Sequence, residues 1–268
     1  MAAMEVTEHL AILDRDGKLL AAAADRAGLE ATVPSCPPWQ VRDLLRHIGY
    51  VHRWAGRYVA ERRTERLPDR PGEAELLSGG PVDAELLDWF SAGHQALVTE
   101  LTRASPDLAC WYFLDAPSPR AFWARRQAHE TAIHRVDAEL AAGHVTSHEV
   151  TPHEAAFAAD GVDELIMGFF GRDAEQLSDE QRAGARRRLQ VCSTDTGHAW
   201  HVQLISDGTL ATQVQRGGGA ADCTLSGPAS GLYRLLWNRA DPPTAAVEVS
   251  GDRAVLDSWQ EGMRVTWQ

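Results

Sequence analysis

The segment HETAIH, residues 129–134, places Glu130 and His134 four residues apart in an alanine-rich run that reads as helix. At about 100° per residue the two side chains differ by only about 40° in direction, so both reach one point beside the helix. His129 and His134, five apart, differ by about 140° and do not share such a point. This separates the segment from the HExxH pattern of zinc proteases, where two histidines lie four apart and the glutamate is the base. Here Glu130 has to be a ligand itself, and a third ligand must come from another helix. His47 is the first candidate, because it lies among Leu44, Ile48 and Val51 on the apolar face of its own helix. Zinc takes nitrogen and carboxylate ligands at about 2.0–2.2 Å and, with three of them, keeps a fourth position for water or substrate. That is the arrangement of a catalytic site; iron, manganese and nickel also accept it. The spacing alone leaves other readings open. Glu130 and His134 also fit a solvated helix pair, Arg126 a salt bridge to Glu130, and His47 a hydrogen-bonded core histidine. His52, His94 or His129 can take the place of one of the three. Asp137, three after His134, either orients that histidine or faces solvent.

Helices have to carry these residues, and the first part of the chain is patterned for them. Residues 5–27 place Leu10, Ile12, Leu13, Leu19 and Leu20 near helical spacing, with Gly17 weakening the middle. PSCPPW, residues 34–39, is a break whose prolines suit a helix start. From Trp39 to Arg63, Val41, Leu44, Leu45, Ile48, Val51, Trp54 and Tyr58 make one face. Asp83 caps a helix carrying Leu86, Leu87, Phe90, Leu97, Val98 and Leu101, and Ser118 caps one that runs to about Gly143. A fifth helix is expected over about 152–170. Trp54, Tyr58 and Trp123 read as bundle core or as the lining of a site entrance. After about residue 180 the texture changes. LQVCST, AWHVQLIS, LATQVQR, CTLSG and AAVEVSG read as strands, while PASGLYRLLWNR and DRAVLDSWQEGM read as helices. The expected fold is α+β: a four-helix bundle over residues 1–180, then a small α+β domain over 181–268.

The 268 residues permit one large domain or two ordinary ones. A net charge of −12 argues against nucleic-acid binding, which needs a basic surface. No apolar run is long enough to span a membrane, and no signal peptide is visible at the N-terminus. Cys36, Cys110, Cys192 and Cys223 form no CxxC pair, so reduced thiols in the cytoplasm are expected. Lys18 is the sole lysine; with abundant alanine and arginine this is the texture of a GC-rich genome.

CPPWQVRDLLRHIGYVHRWA, followed by FWARRQAHETAIHRVDAELAAG, resembles the mycothiol-dependent maleylpyruvate isomerase family, whose bundle is of the DinB-like metal-binding kind. LSGPASGLYRLLWNRADPP and VEVSGDRAVLDSW are similar to that family's C-terminal, sterol-carrier-like domain, so the resemblance covers nearly the whole chain. It implies a divalent metal, zinc by preference, on His47, Glu130 and His134, the same three residues that helical geometry selects. It implies mycothiol, the low-molecular-weight thiol of actinobacteria, as cofactor or co-substrate. It further implies that an arginine of the second domain meets a substrate carboxylate: Arg239 in LLWNR, with Arg234 second. The active site is then expected between the domains. Pro38, Val136 and Asn238 depart from residues common in the family, and none is a ligand position. The implied activity is thiol addition to a small, acidic electrophile, as cis–trans isomerisation or S-transfer. A thiol or small-molecule carrier and a zinc hydrolase are the alternatives on the same scaffold.

Overall fold

The computed structural model describes residues 4–67, 80–143, 150–171, 186–205 and 211–262. They divide into two compact units, one within 4–143 and one within 150–262.

The first unit is built from α1 (Val6–Ala27), α2 (Val41–Ala60), α3 (Asp83–Arg103) and α4 (Pro119–Ala141). Three of the starts are explained by their local residues, whereas α3 starts after Val82 with no side-chain cap and Asp83, expected to cap it, pairs with Arg42 and Arg46. The Glu5 amide donates to the Glu8 carboxylate at 2.7 Å, and the Gln40 amide to Asp43 at 2.9 Å, closing capping boxes on α1 and α2. Ser118 accepts from the Ala121 amide, with Pro119 in the first turn of α4. Around the bundle, α1 packs along α4 and α3, and α2 along α3 and α4. Pairing sets the directions. Arg42 meets Asp83 and Arg53 meets the Trp89 carbonyl, so α2 and α3 run parallel. His47 meets Glu130 while Trp54 meets Trp123, so α2 and α4 run antiparallel. Gly17 does not break α1. The His94 imidazole lies where a Cβ would stand, 2.2 Å from His94 Nε2, and hydrogen-bonds the Leu13 carbonyl. The core takes Leu20, Val41, Leu44, Leu45, Ile48, Val51, Leu86 and Phe90, as their spacing predicts.

Helix α4 departs from expectation: Phe122–Ala124 and Arg126–Glu139 are buried without interruption, charged residues included. Arg135 donates to Glu139 at 2.6 Å and lies 3.4 Å from Asp16 of α1, all of them buried. Sequence periodicity assigns such charges to a wet face; here they pair across two helices instead.

In the second unit, α5 (Ala155–Asp163) continues as a π-helical turn, Glu164–Phe170. The strands are β1 (Arg186–Ser193), β2 (Ala199–Ile205), β3 (Ala211–Arg216), β4 (Cys223–Gly227) and β5 (Glu248–Gly251). Their order is β3-β2-β1-β4-β5, antiparallel except for the parallel β1–β4 pair. Helices α6 (Ala229–Leu236), α7 (Pro242–Ala245) and α8 (Ala254–Gly262) complete it. Among the described residues every strand lies after residue 185, and before it only a single bridge, Thr32 with Gln40, ties the loop between α1 and α2. The α+β class and the bundle-then-sheet order agree with the sequence reading. Residue 180, where the sequence reading divides the chain, lies outside the described residues. Helix α5, assigned above to the bundle, belongs to the sheet's unit. His153 and Phe157 pack their rings on Tyr233 of α6, and Asp163 binds the Trp200 indole and both Nε and Nη2 of Arg216. An amphipathic pattern shows that a helix has a buried face, not which element covers it.

Candidate metal centre

His47 of α2 and Glu130 and His134 of α4 converge. Their exposures are 1%, 3% and 5%, and one ligand atom from each lies within 4.8 Å of the others. Glu130 Oε1 is 3.4 Å from His47 Nε2 and 3.5 Å from His134 Nε2. Both distances are long for charge-assisted hydrogen bonds, which run at about 2.7–2.9 Å. They match the edge of a tetrahedron, about 3.3–3.5 Å, whose centre lies about 2.0–2.1 Å from each ligand. The donor set, two imidazoles and one carboxylate, suits zinc and related divalent metals. The residues present therefore fit a metal.

Supporting groups surround this set. Asp137, fully buried, lies 2.8 Å from His134 Nδ1; with the proton on that nitrogen, Nε2 turns its lone pair to the centre. Ser35 Oγ donates to the other oxygen of Asp137, and Cys36 Sγ lies 3.5 Å from Oδ2. The Trp39 ring packs 4.9 Å from that of His47 and stacks 6.3 Å from that of His134. The PSCPPW segment, whose contacts the sequence does not show, thus reaches His134 through Asp137 and packs an indole on His47 and His134. Arg126 Nη2 donates to Glu130 Oε2 at 3.0 Å, the salt bridge expected from their spacing.

The other histidines have different company. His52 Nε2 meets Thr131 Oγ1 at 2.8 Å, and burial together with the neighbouring His94 pushes its pKa well below the usual value, leaving it neutral. The His129 ring packs edge-on to His9. Trp54, Tyr58 and Trp123 form a buried ring cluster with centroids about 5.2 Å apart, the core reading. Arg234 and Arg239 belong to the second unit: Arg234 is buried on α6, its Nε 3.4 Å from the Ser230 carbonyl, and half-buried Arg239 donates to the Trp237 carbonyl at 2.7 Å.

Burial raises the pKa of Glu130, but hydrogen bonds from His134 and His47 and the charge of Arg126 outweigh it and hold the carboxyl well below its usual range. Burial lowers the pKa of His134, but Asp137 and Glu130 outweigh it and raise it. A raised histidine contributes stability that is complete below its unfolded value, about 6.5, and is lost as pH rises through the folded value. Metal binding needs the same proton removed. The thermal shift produced by zinc over a chelated control should therefore be larger at pH 8 than at pH 6; equal shifts would remove His134 from the ligand set. Asp137→Asn should weaken zinc binding about 10–100-fold, read by competition with a chromophoric chelator.

A four-helix bundle with three buried candidate ligands meeting between two of its helices, followed by a mixed α+β domain, defines the class. A family model described as the mycothiol maleylpyruvate isomerase N-terminal domain matches residues 10–139, and the model of the corresponding C-terminal domain matches residues 156–258. The chain belongs to the mycothiol-dependent maleylpyruvate isomerase family. Two solved structures share the fold: the mycothiol-dependent maleylpyruvate isomerase and a histidine-to-alanine mutant of it. Both are 14% identical to this chain, with 92% of this chain and 93% of theirs covered, at TM-scores of 0.59 and 0.60. No curated protein is significantly similar in sequence. Among the described residues no helix is long and apolar enough to cross a membrane.

Proposed function

We propose that the protein is a metal-dependent enzyme that applies mycothiol to a small, acidic electrophile, and that zinc on His47, Glu130 and His134 is its centre. The observation that carries this is the meeting of three buried candidate ligand atoms within 4.8 Å of one another, with Glu130 Oε1 at 3.4 and 3.5 Å from the two imidazole nitrogens, in a chain of this family. A divalent ion held there supplies a Lewis acid that keeps a thiol, of free pKa about 8.5, deprotonated at neutral pH. The chain's own groups do the rest. Asp137 keeps His134 in one tautomer, Ser35 keeps Asp137 in place, and Trp39 covers one side of the ligand rings. Arg239, with Arg234 second, is the cation we assign to the substrate carboxylate, because a guanidinium grips a carboxylate through two parallel hydrogen bonds. In isomerisation the thiolate sulfur adds to one carbon of an activated cis double bond, the remaining single bond rotates, and the sulfur leaves to give the trans product. In S-transfer the sulfur stays and a proton completes the adduct. The cytoplasm, where such a thiol stays reduced, is the compartment this chemistry requires.

Metal-loaded protein incubated with mycothiol and a panel of cis-unsaturated acids and epoxides, followed by mass spectrometry and proton NMR, tests the reading. A trans product of unchanged mass identifies an isomerase; a product heavier by the thiol identifies a transferase. Thiol binding without turnover identifies a carrier, and thiol-independent water addition a hydrolase; either removes the proposal. In the same assay Arg239→Ala should raise KM for an acidic substrate with metal content unchanged.

A further inference from the structure

The two oxygens of Glu130 face different neighbours. Oε1 faces His47 and His134, and Oε2 accepts from Arg126 at 3.0 Å. Arg126 stands one turn before Glu130 on α4 and is only 1% exposed, as deeply buried as the ligands. A guanidinium in such a place is costly to desolvate unless it is paired, and the 3.0 Å contact to Oε2 supplies that pairing.

A carboxylate binds a metal through one oxygen or through two, and the second mode uses up a further coordination position. We propose that Arg126 is a positioning residue: by tying Oε2 it restricts Glu130 to one oxygen at the metal centre and so keeps the remaining position available to a thiol sulfur. It also draws negative charge from the carboxylate, making Glu130 a weaker donor and the centre a stronger Lewis acid. This rests on the assignment of His47, Glu130 and His134 as ligands made under Proposed function. The opposite role, Arg126 as a purely structural partner, makes a different prediction. It requires that losing Arg126 loosen Glu130 and weaken metal binding without altering the coordination of whatever metal still binds.

Cobalt(II) separates the two, because its visible absorption is intense in four-coordinate sites and falls steeply at higher coordination number. Wild-type protein, Arg126→Met and Arg126→Lys are titrated with cobalt alone, with folding checked by circular dichroism. The wild type should show the intense four-coordinate band. Arg126→Met should bind cobalt as tightly or more tightly, but with a weaker visible band per bound ion. Arg126→Lys, which keeps the charge one turn from Glu130, should restore most of the intensity. Arg126→Gln replaces the methionine variant if that one does not fold, and is read in the same way. Weaker binding with an unchanged band per bound ion overturns the positioning role and leaves the metal centre standing. Failure of the wild type to bind cobalt overturns the metal centre, and the role of Arg126 with it.

Discussion

His134→Ala should strip the protein of metal. The metal content of protein loaded with zinc and then desalted should drop from about one per chain to background, and thiol-dependent turnover should fall by more than about 100-fold. Losing a group that merely supports a ligand already costs about 10–100-fold in affinity or activity, so losing a ligand costs more. The variant leaves two ligands, His47 and Glu130, on different helices, and it removes the histidine whose Nδ1 meets Asp137. His47→Ala should behave in the same way, since it removes the sole contribution of α2 to the set. Elemental analysis and a thiol assay on the same samples check both. Full metal retention by His134→Ala would disprove the site as drawn.

The largest effect on stability should come from Arg135→Met. Arg135 is fully buried between Glu139 on its own helix and Asp16 on α1, both also buried, while Arg15, which donates to Asp16, is half-exposed. Removing the central cation leaves two buried carboxylates without it, and breaking such a network costs about 3–5 kcal/mol. Urea unfolding should show that loss as a lower midpoint with an unchanged slope. The triple variant Asp16→Leu, Arg135→Met, Glu139→Leu should recover most of it, because an apolar replacement of a whole buried ion group is often neutral or stabilising. A single variant within about 1 kcal/mol of wild type would mean that the charges are hydrated in solution.

The convergence of His47, Glu130 and His134 was legible because the pattern behind it is local. Two ligands share one helix at a spacing that aims them together, and the third sits in an apolar stripe where a histidine stands out. The family resemblance then selected the same three residues. What was not legible depends on contacts between segments distant in sequence. Ser35 and Trp39 lie in a proline-rich break, and nothing in that break shows that Asp137 and two imidazoles lie against it. Helix α4 reads as alternating charge and alanine, and Arg135 is buried between Glu139 of its own helix and Asp16, an aspartate near the other end of the bundle's chain. Helix α5 has the pattern of a bundle helix but is covered by Tyr233 and the sheet. For α4 the pattern assigns the charges to a wet face and for α5 it leaves the covering element open; in each case tertiary pairing decided the partner.

The proposed ligands come from α2 and α4, and the apolar contacts that hold the first unit are made by other residues, Leu20, Leu44, Ile48, Val51, Leu86 and Phe90 among them. Small zinc domains lack such a core, and for them metal binding and folding are one event. Here the order is reversed. The chain closes the long loop between residue 47 and residue 130 by burying hydrocarbon, so a metal bound at the proposed centre would enter a cage that the rest of the bundle has already ordered. Chelation should therefore leave helical content intact and only lower the melting temperature, and a chelated sample should recover its metal without a refolding step.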